Sequence, residues 1–157
     1  MKNGIIETNI FAGANGIADH LSEEEKNECI LFISKYIKDS ITYIDTSNAM
    51  FSEYKKYCSF SGKPNIGDYF FKWLWDNQNN KQKCTRVEIH PLDDKYFDFR
   101  ELAQYKKLKK FDKSDKKFIA VCIAAEKVPT IYNACDSDWD EYKEVFDEYD
   151  ITIEKIL

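Results

Sequence analysis

Short β-rich runs alternate along the chain with longer amphipathic segments. Five runs predict strands, at residues 4–12, 41–44, 84–89, 130–132 and 151–153. Apolar side chains at helical spacing predict helices near 22–38, from 45 to about 57, around 69–75, over 113–126 and at about 138–147. Strands that alternate with helices indicate βαβ units, so we predict an α/β fold with a mostly parallel sheet.

Capping residues support two of these helices. Ser22 is followed three residues later by Glu25, which is the capping-box spacing expected where the first long helix begins. Asp45, Ser47 and Asn48 stand directly after the second predicted strand, and their side chains favour a helix start. We therefore interpret Asp45 as a helix cap.

The length and composition predict a single domain over residues 1–157. Apolar residues make up 43% of the chain, which is enough for a buried core and too much for a disordered tail. No apolar run is long enough for a membrane helix, and Glu7 interrupts the N-terminal segment too early for a secretory signal. We expect a cytoplasmic protein without a membrane partner.

Cysteine and histidine offer little chemistry in this sequence. The five cysteines are widely spaced and form no C-x-x-C pair, which argues against a zinc ribbon or a thioredoxin-like motif. Only two histidines are present, His20 and His90, and neither has a partner at ligand spacing. Any catalytic chemistry is therefore expected to depend on carboxylates.

Charge is unevenly distributed. The net charge is −5, yet the segment 106–117 holds seven lysines, and the segment from Asp136 onward is strongly acidic. An acidic pocket beside a basic rim would produce this pattern, and so would two unrelated solvated faces. Lysines that immediately precede Asp115 are candidates for contact with phosphate.

Carboxylates stand where several predicted strands end. Glu7, Asp45 and Asp136 each follow a strand, and Glu53 and Asp115 lie on helices that would flank the same edge of the sheet. The carboxyl ends of parallel strands form the usual ligand crevice. Clustered carboxylates repel one another unless cations neutralise them, and their oxygens suit Mg²⁺ or Mn²⁺. Each residue alone also has an ordinary explanation as a cap, a turn residue or a solvated charge.

Four segments of the chain resemble motifs of the PIN-domain family, in the family's order. GIIETNIFAGA is similar to the first strand, which runs into an acidic residue, Thr-Asn and an apolar residue. SNAMFSEYKKY carries an acidic residue on the helix after the second strand, and FDKSDKKFIAVCIA resembles the acidic start of a later helix. TIYNACDSDW resembles the last motif, a strand followed by Asp-Ser-Asp-Trp.

This resemblance implies a three-layer α/β/α sandwich that hydrolyses RNA phosphodiesters endonucleolytically with Mg²⁺ or Mn²⁺, often as the toxin of a bacterial toxin–antitoxin pair. The antitoxin would then be a protein partner. The implied site is large. Its catalytic carboxylates would be Glu7, Glu53, Asp115 and Asp136, with Asp138 as a supplementary metal ligand beside Glu7, Asp115 and Asp136, and with Asn9, Ser137, Lys113 and Lys116 as positioning residues.

One position departs from the family pattern. The family has aspartate where this chain has Glu7, so the carboxylate lies one methylene further from the backbone. Metal sites depend on close placement of their ligands, so the change leaves two hypotheses open. The chain is either an active ribonuclease or a PIN-fold module that binds RNA or protein without cutting. A homodimer through the aromatic helix around 69–75 also stays open.

Overall fold

A parallel five-stranded sheet forms the centre of the fold. The computed structural model describes residues 2–157. The strands are β1 (Lys2–Ile6), β2 (Ser40–Asp45), β3 (Cys84–Val87), β4 (Thr130–Asn133) and β5 (Ile153–Lys155). They lie in the order β3-β2-β1-β4-β5, and every neighbouring pair is parallel. The predicted α/β class and the predicted parallel sheet are confirmed.

Helices connect the strands and complete a three-layer α/β/α sandwich. They are α1 (Thr8–Ala14), α2 (Glu23–Tyr36), α3 (Ala49–Tyr54), α4 (Ile66–Asn77), α5 (Lys116–Ala124), α6 (Ser137–Glu141) and α7 (Lys143–Glu148). Helices α1, α2 and α4 pack against one another, whereas α5 packs against β2 and β4. Three short 3₁₀ turns, at Arg100–Leu102, Lys106–Leu108 and Lys113–Asp115, lie in the connection from β3 to α5. In residues 2–157 no helix combines the length and apolarity needed to cross a membrane.

The first predicted strand is too long. We expected extended structure over 4–12, but β1 ends at Ile6 and helix α1 begins at Thr8. The Glu7 side chain accepts a hydrogen bond from the backbone N–H of Asn9 at 2.9 Å and so caps the helix. Ile10, Phe11 and Ala14 then lie buried at helical spacing.

Smaller differences concern the ends of other elements. The helix predicted over 113–126 opens as a 3₁₀ turn and continues as α5 to Ala124. The helix predicted at 138–147 is divided into α6 and α7 at Tyr142. The last strand occupies Ile153–Lys155 instead of 151–153. None of these shifts changes which element follows which.

Close packing between α2 and the sheet requires glycine at position 4. A Cβ atom there would lie 2.5 Å from Tyr36 Oη and 2.8 Å from the Tyr132 ring. We expect Gly4→Ala to lower the free energy of unfolding by roughly 1–3 kcal/mol, because the two rings must move. Urea denaturation measures this loss. Adding Tyr36→Phe removes the nearer contact and should recover part of the stability, whereas an unchanged Gly4→Ala protein would contradict the packing.

Candidate metal centre

The carboxyl ends of β1 and β4 border an acidic cavity of about 590 Å³. All four residues predicted as catalytic carboxylates line it: Glu7, Glu53, Asp115 and Asp136. Glu7 and Asp136 follow strands β1 and β4, Glu53 lies on α3, and Asp115 ends the 3₁₀ turn before α5. The fold therefore brings together residues that are up to 129 positions apart in the sequence.

Glu7 is held rigidly at the floor of the cavity. It is 4% exposed, and its backbone N–H donates to the carbonyl of Tyr132 at 2.9 Å, which joins the ends of β1 and β4. Its carboxylate is fixed by the Asn9 backbone N–H. Asn9 Oδ1 in turn accepts from the backbone N–H of Ala134 at 2.9 Å, so α1 is tied to the segment that leads to Asp136.

Glu7 and Asp115 interact directly, and both are buried. Burial raises the pKa of Glu7 to about 7, against the hydrogen bond from Asn9 that lowers it, and the charge of Asp136 raises it further. Burial and then the charge of Glu7 raise the pKa of Asp115 well above the ordinary aspartate value, and Asp112 adds to this shift. Burial and, after it, mutual repulsion favour the protonated form of both carboxyls when no cation is present.

Three aspartates form a group that can hold a metal ion. Carboxylate oxygens of Asp112, Asp115 and Asp138 all lie within 4.8 Å of one another. Asp115 is buried and the other two reach toward solvent, so an ion would have an open side. Asp115 belongs both to this trio and to the Glu7 pair, and it is the residue through which the two groups meet.

Asp112 was missed in the sequence. Its signal is the spacing Asp112-x-x-Asp115, because a 3₁₀ turn has three residues per turn and places i and i+3 above one another. The turn Lys113–Asp115 has this geometry. Ser114 Oγ donates to Asp112 Oδ2 at 2.6 Å and orients the carboxylate.

Asp136 caps helix α6 at the rim. Its Oδ1 accepts from the backbone N–H of Asp138 at 2.9 Å. Asp136 lines the cavity together with Glu7, whereas Asp138 lies outside the cavity wall formed by residues 2–157 and approaches Asp112 and Asp115. Asp136 is therefore both a turn residue that caps α6 and a residue of the cavity wall.

Glu53 differs from the other carboxylates because it already has a cation. Lys117 Nζ lies 2.8 Å and Lys56 Nζ 3.0 Å from Glu53 Oε1. Burial opposes ionisation of Glu53, but the hydrogen bonds and charges of these lysines outweigh it and lower the pKa of the carboxyl. Lys117 is only 3% exposed, and sequence reasoning did not single out its contact with Glu53.

Of the four predicted positioning residues, one lines the cavity and three do not. Within residues 2–157, the cavity wall includes Asn9 but not Ser137, Lys113 or Lys116. Ser137 and Lys113 are exposed, while Lys116 is buried and donates from Nζ to the Lys109 carbonyl at 2.8 Å. Lys116 therefore holds the loop before α5, and this bond directs its ammonium to that loop.

Asp45 lies outside the cavity wall as far as residues 2–157 form it. It is fully buried and accepts from the backbone N–H groups of Ala49 at 2.8 Å and Met50 at 2.9 Å. It also accepts from the backbone N–H of Ser47 at 3.2 Å and the Ser47 hydroxyl at 2.8 Å. The Asp45 side chain thus caps the helix as predicted, but it does so from the end of β2. Helix α3 begins at Ala49 instead of 45, and Asn48 occupies the N-cap position without a side-chain hydrogen bond to the helix.

Fold and site together define an α/β protein with a carboxylate-lined cavity at the carboxyl edge of a parallel sheet. Comparison with protein-family models, with curated proteins and with solved structures yields no match. The likeness to PIN domains therefore rests on the sequence motifs.

The buried carboxyls make the stability of the metal-free protein depend on pH. A carboxyl whose pKa is raised by folding binds its proton more tightly in the folded state. The stabilisation of the folded protein by this proton is therefore lost as pH rises from about 4.5, the ordinary glutamate value, through about 7, the value for Glu7. We expect the free energy of unfolding in EDTA, derived from thermal melts at each pH, to fall by on the order of 2–3 kcal/mol across this window.

Millimolar Mn²⁺ should reverse this trend, because an ion binds the deprotonated carboxylates and competes with the protons. The stabilisation by Mn²⁺ is thus expected to grow between pH 5.5 and 8. A matched Glu7→Gln protein should show a flatter pH profile in EDTA. A wild-type profile in EDTA that matches that of Glu7→Gln would contradict the account of these carboxyls.

Proposed function

We propose that the protein is a metal-dependent endoribonuclease of the PIN type, which hydrolyses RNA phosphodiesters with Mg²⁺ or Mn²⁺. One observation carries the proposal: Glu7, Asp112, Asp115 and Asp136 line one open cavity, and the Asp138 carboxylate lies within 4.8 Å of those of Asp112 and Asp115. Such a concentration of negative charge is costly without a cation. The PIN-like order of the sequence motifs adds to this argument.

The donor set fits a hard divalent cation. All the candidate ligands are carboxylate oxygens, and the pKa values of Glu7, Asp115 and Asp138 are raised in a direction that a cation would reverse. Asp112, Asp115 and Asp138 would hold the ion, with Glu7 and Asp136 on its inner side. When bound, such an ion activates water for attack on phosphorus and neutralises charge that develops on the phosphodiester.

The other residues of the site position the reacting groups. The Asn9 backbone N–H fixes one oxygen of Glu7, which leaves its second oxygen for a ligand or a water proton. The Glu53–Lys117 pair places a buried ammonium close to the cavity wall without adding net charge. Exposed lysines of the loop before Asp112 would steer the RNA backbone, so substrate binding should weaken as salt rises.

A cleavage assay tests the proposal. Purified protein is incubated with single-stranded and structured RNA in Mg²⁺, Mn²⁺ or EDTA. We expect cleavage that requires a metal and is absent in EDTA. Cleavage that resists EDTA would contradict the proposal, as would no cleavage with either metal when Glu7→Asp is also inert.

The role as a bacterial toxin rests on the PIN resemblance alone. It would require an antitoxin protein that binds the chain and blocks the cavity. Expression of the wild-type protein in a bacterial host should arrest growth, and expression of Asp115→Asn should not. A small neighbouring open reading frame whose product restores growth would identify the antitoxin.

A second candidate function is a PIN-like module that binds RNA or protein without cutting. Two observations favour it: Glu7 replaces the usual aspartate, and Glu53 is already neutralised by Lys117 and Lys56. The two candidates differ in their dependence on metal. RNA binding with no thermal stabilisation by Mn²⁺ and no cleavage in either metal would support the module over the nuclease.

A further inference from the structure

An exposed aromatic patch adjoins the acidic cavity. We define it as Tyr57, Phe60 and Trp75, whose exposed fractions are 40%, 42% and 38%. The Phe60 and Trp75 rings are in edge contact at 5.3 Å between centroids. Phe51 and Phe71 support them from the core. Tyr57 also lines the cavity itself, so one ring of the patch borders the candidate metal centre.

Positive charge accompanies these rings. Lys55 Nζ lies over the Phe60 ring, 5.7 Å from its centroid. The side chain of Lys56 is 61% exposed even though its ammonium contacts Glu53. Aromatic faces flanked by lysines suit a ligand that combines flat rings with negative charge.

The segment that carries the patch is held in place by buried polar groups. Asn15 Nδ2 donates to the Tyr57 carbonyl at 2.9 Å, and Asp68 Oδ1 accepts from the backbone N–H of Ser59 at 2.8 Å. Asn15 and Asp68 are both buried and are hydrogen-bonded to each other. The patch is thus ordered before any ligand arrives, which reduces the entropic cost of binding.

We infer that the aromatic patch binds unpaired bases of single-stranded RNA while the adjacent phosphate enters the cavity. The inference rests on the proposed function and specifies its substrate. Bases of a duplex are stacked on one another and cannot lie on protein rings, whereas unpaired bases can. Tyr57 would take the base next to the cleaved phosphate, and Phe60 and Trp75 the next one along the strand.

Charge complementarity favours RNA over a protein partner or a second copy of this chain. Lys55 and Lys56 border the patch on the same turn as Tyr57, and a partner that covered it with apolar side chains would have to desolvate them. Because Tyr57 lines the carboxylate cavity, a base that stacks on it would bring the adjacent phosphate to the acidic site.

Fluorescence anisotropy with a labelled 12-nucleotide RNA tests the inference in EDTA, where the proposed cleavage cannot occur. We expect the single strand to bind more tightly than the same sequence in a duplex. Tyr57→Ala and Phe60→Ala should each weaken single-strand binding roughly tenfold. Tyr57→Phe keeps the ring and should bind as the wild type does. Tyr69→Ala is the matched control, because Tyr69 is exposed on α4 and, within residues 2–157, contacts none of the patch rings.

Single-strand binding that is unchanged by both alanine variants would overturn the inference, and so would equal affinity for the duplex. A dimeric wild type that becomes monomeric on Phe60→Ala, measured by light scattering, would instead assign the patch to a subunit interface. The two proposals fail separately. If the alanine variants weaken RNA binding but no metal supports cleavage, the nuclease proposal is contradicted and the proposed role of the patch stands. If cleavage depends on metal but the variants bind RNA as the wild type does, only the proposed role of the patch is contradicted.

Discussion

Asp115→Asn is expected to abolish metal-dependent cleavage, with a loss of at least roughly 100-fold in rate. Asp115 is the carboxylate shared between the aspartate trio and the Glu7 pair. The amide is nearly isosteric with the acid but carries no charge, and it ligates hard cations poorly. The matched control is Asp147→Asn, which removes an exposed carboxylate from α7.

The same variant should change stability in two opposite directions. In EDTA near pH 8, Asp115→Asn should melt at a higher temperature than the wild type. Burial and the charge of Glu7 raise the pKa of Asp115, so folding must protonate a carboxyl that is ionised in the unfolded chain, and the amide has no such cost. In Mn²⁺ the wild type should gain stability and the variant should not. If Asp115→Asn cleaves RNA at the wild-type rate, or if Mn²⁺ stabilises both proteins equally, Asp115 is not a metal ligand.

Asp45→Ala is expected to cause the largest loss of stability, about 3–4 kcal/mol. The substitution leaves four donors of the β2–α3 connection without their acceptor, two of them the buried N–H groups of Ala49 and Met50. Urea denaturation measures the loss. Asp45→Asn retains one acceptor oxygen and should fall between the alanine variant and the wild type.

The Asp45 variants also separate folding from function. Asp45 is a helix cap outside the cavity wall, so folded Asp45→Asn protein should keep its response to Mn²⁺. A change in stability of less than about 0.5 kcal/mol for Asp45→Ala would show that the hydrogen bonds are replaced by water.

The parallel sheet and the meeting of the carboxylates follow from sequence patterns. Strands alternate with helices, and parallel strands end at one edge, so Glu7 and Asp136 are expected to be neighbours. The first strand was overextended because Thr8, Ile10 and Phe11 suit a strand as well as a helix. The hydrogen bond from Asn9 to Glu7 decides between them, and it depends on side-chain placement that periodicity does not encode.

The composition of segment 106–117 does not indicate which of its seven lysines are buried, paired or exposed. Lys116 and Lys117 are buried, and they contact the Lys109 carbonyl and Glu53. Lys107 pairs with Glu148 at 2.6 Å. The remaining four, Lys106, Lys109, Lys110 and Lys113, are exposed. Which side of α5 faces the cavity determines these roles, and that orientation is fixed by tertiary packing.

Asp112 and Lys117 show what the sequence left undetermined at the site. Asp112 joins the trio because the residues before α5 form a 3₁₀ turn, whereas a regular helix start would rotate it by about 60° relative to Asp115. Lys117 reaches Glu53 across 64 positions of sequence. Both contacts depend on distances between elements, which a single sequence does not specify.

Anomalous diffraction from crystals grown in Mn²⁺ is the most direct test of the central claim that this cavity binds a divalent cation through its carboxylates. We predict an anomalous peak between Asp112, Asp115 and Asp138, with carboxylate oxygens at about 2.0–2.3 Å from the ion. The peak should be absent from Asp115→Asn crystals grown in the same solution. An empty cavity in wild-type crystals at millimolar Mn²⁺ and pH 8 would contradict the account.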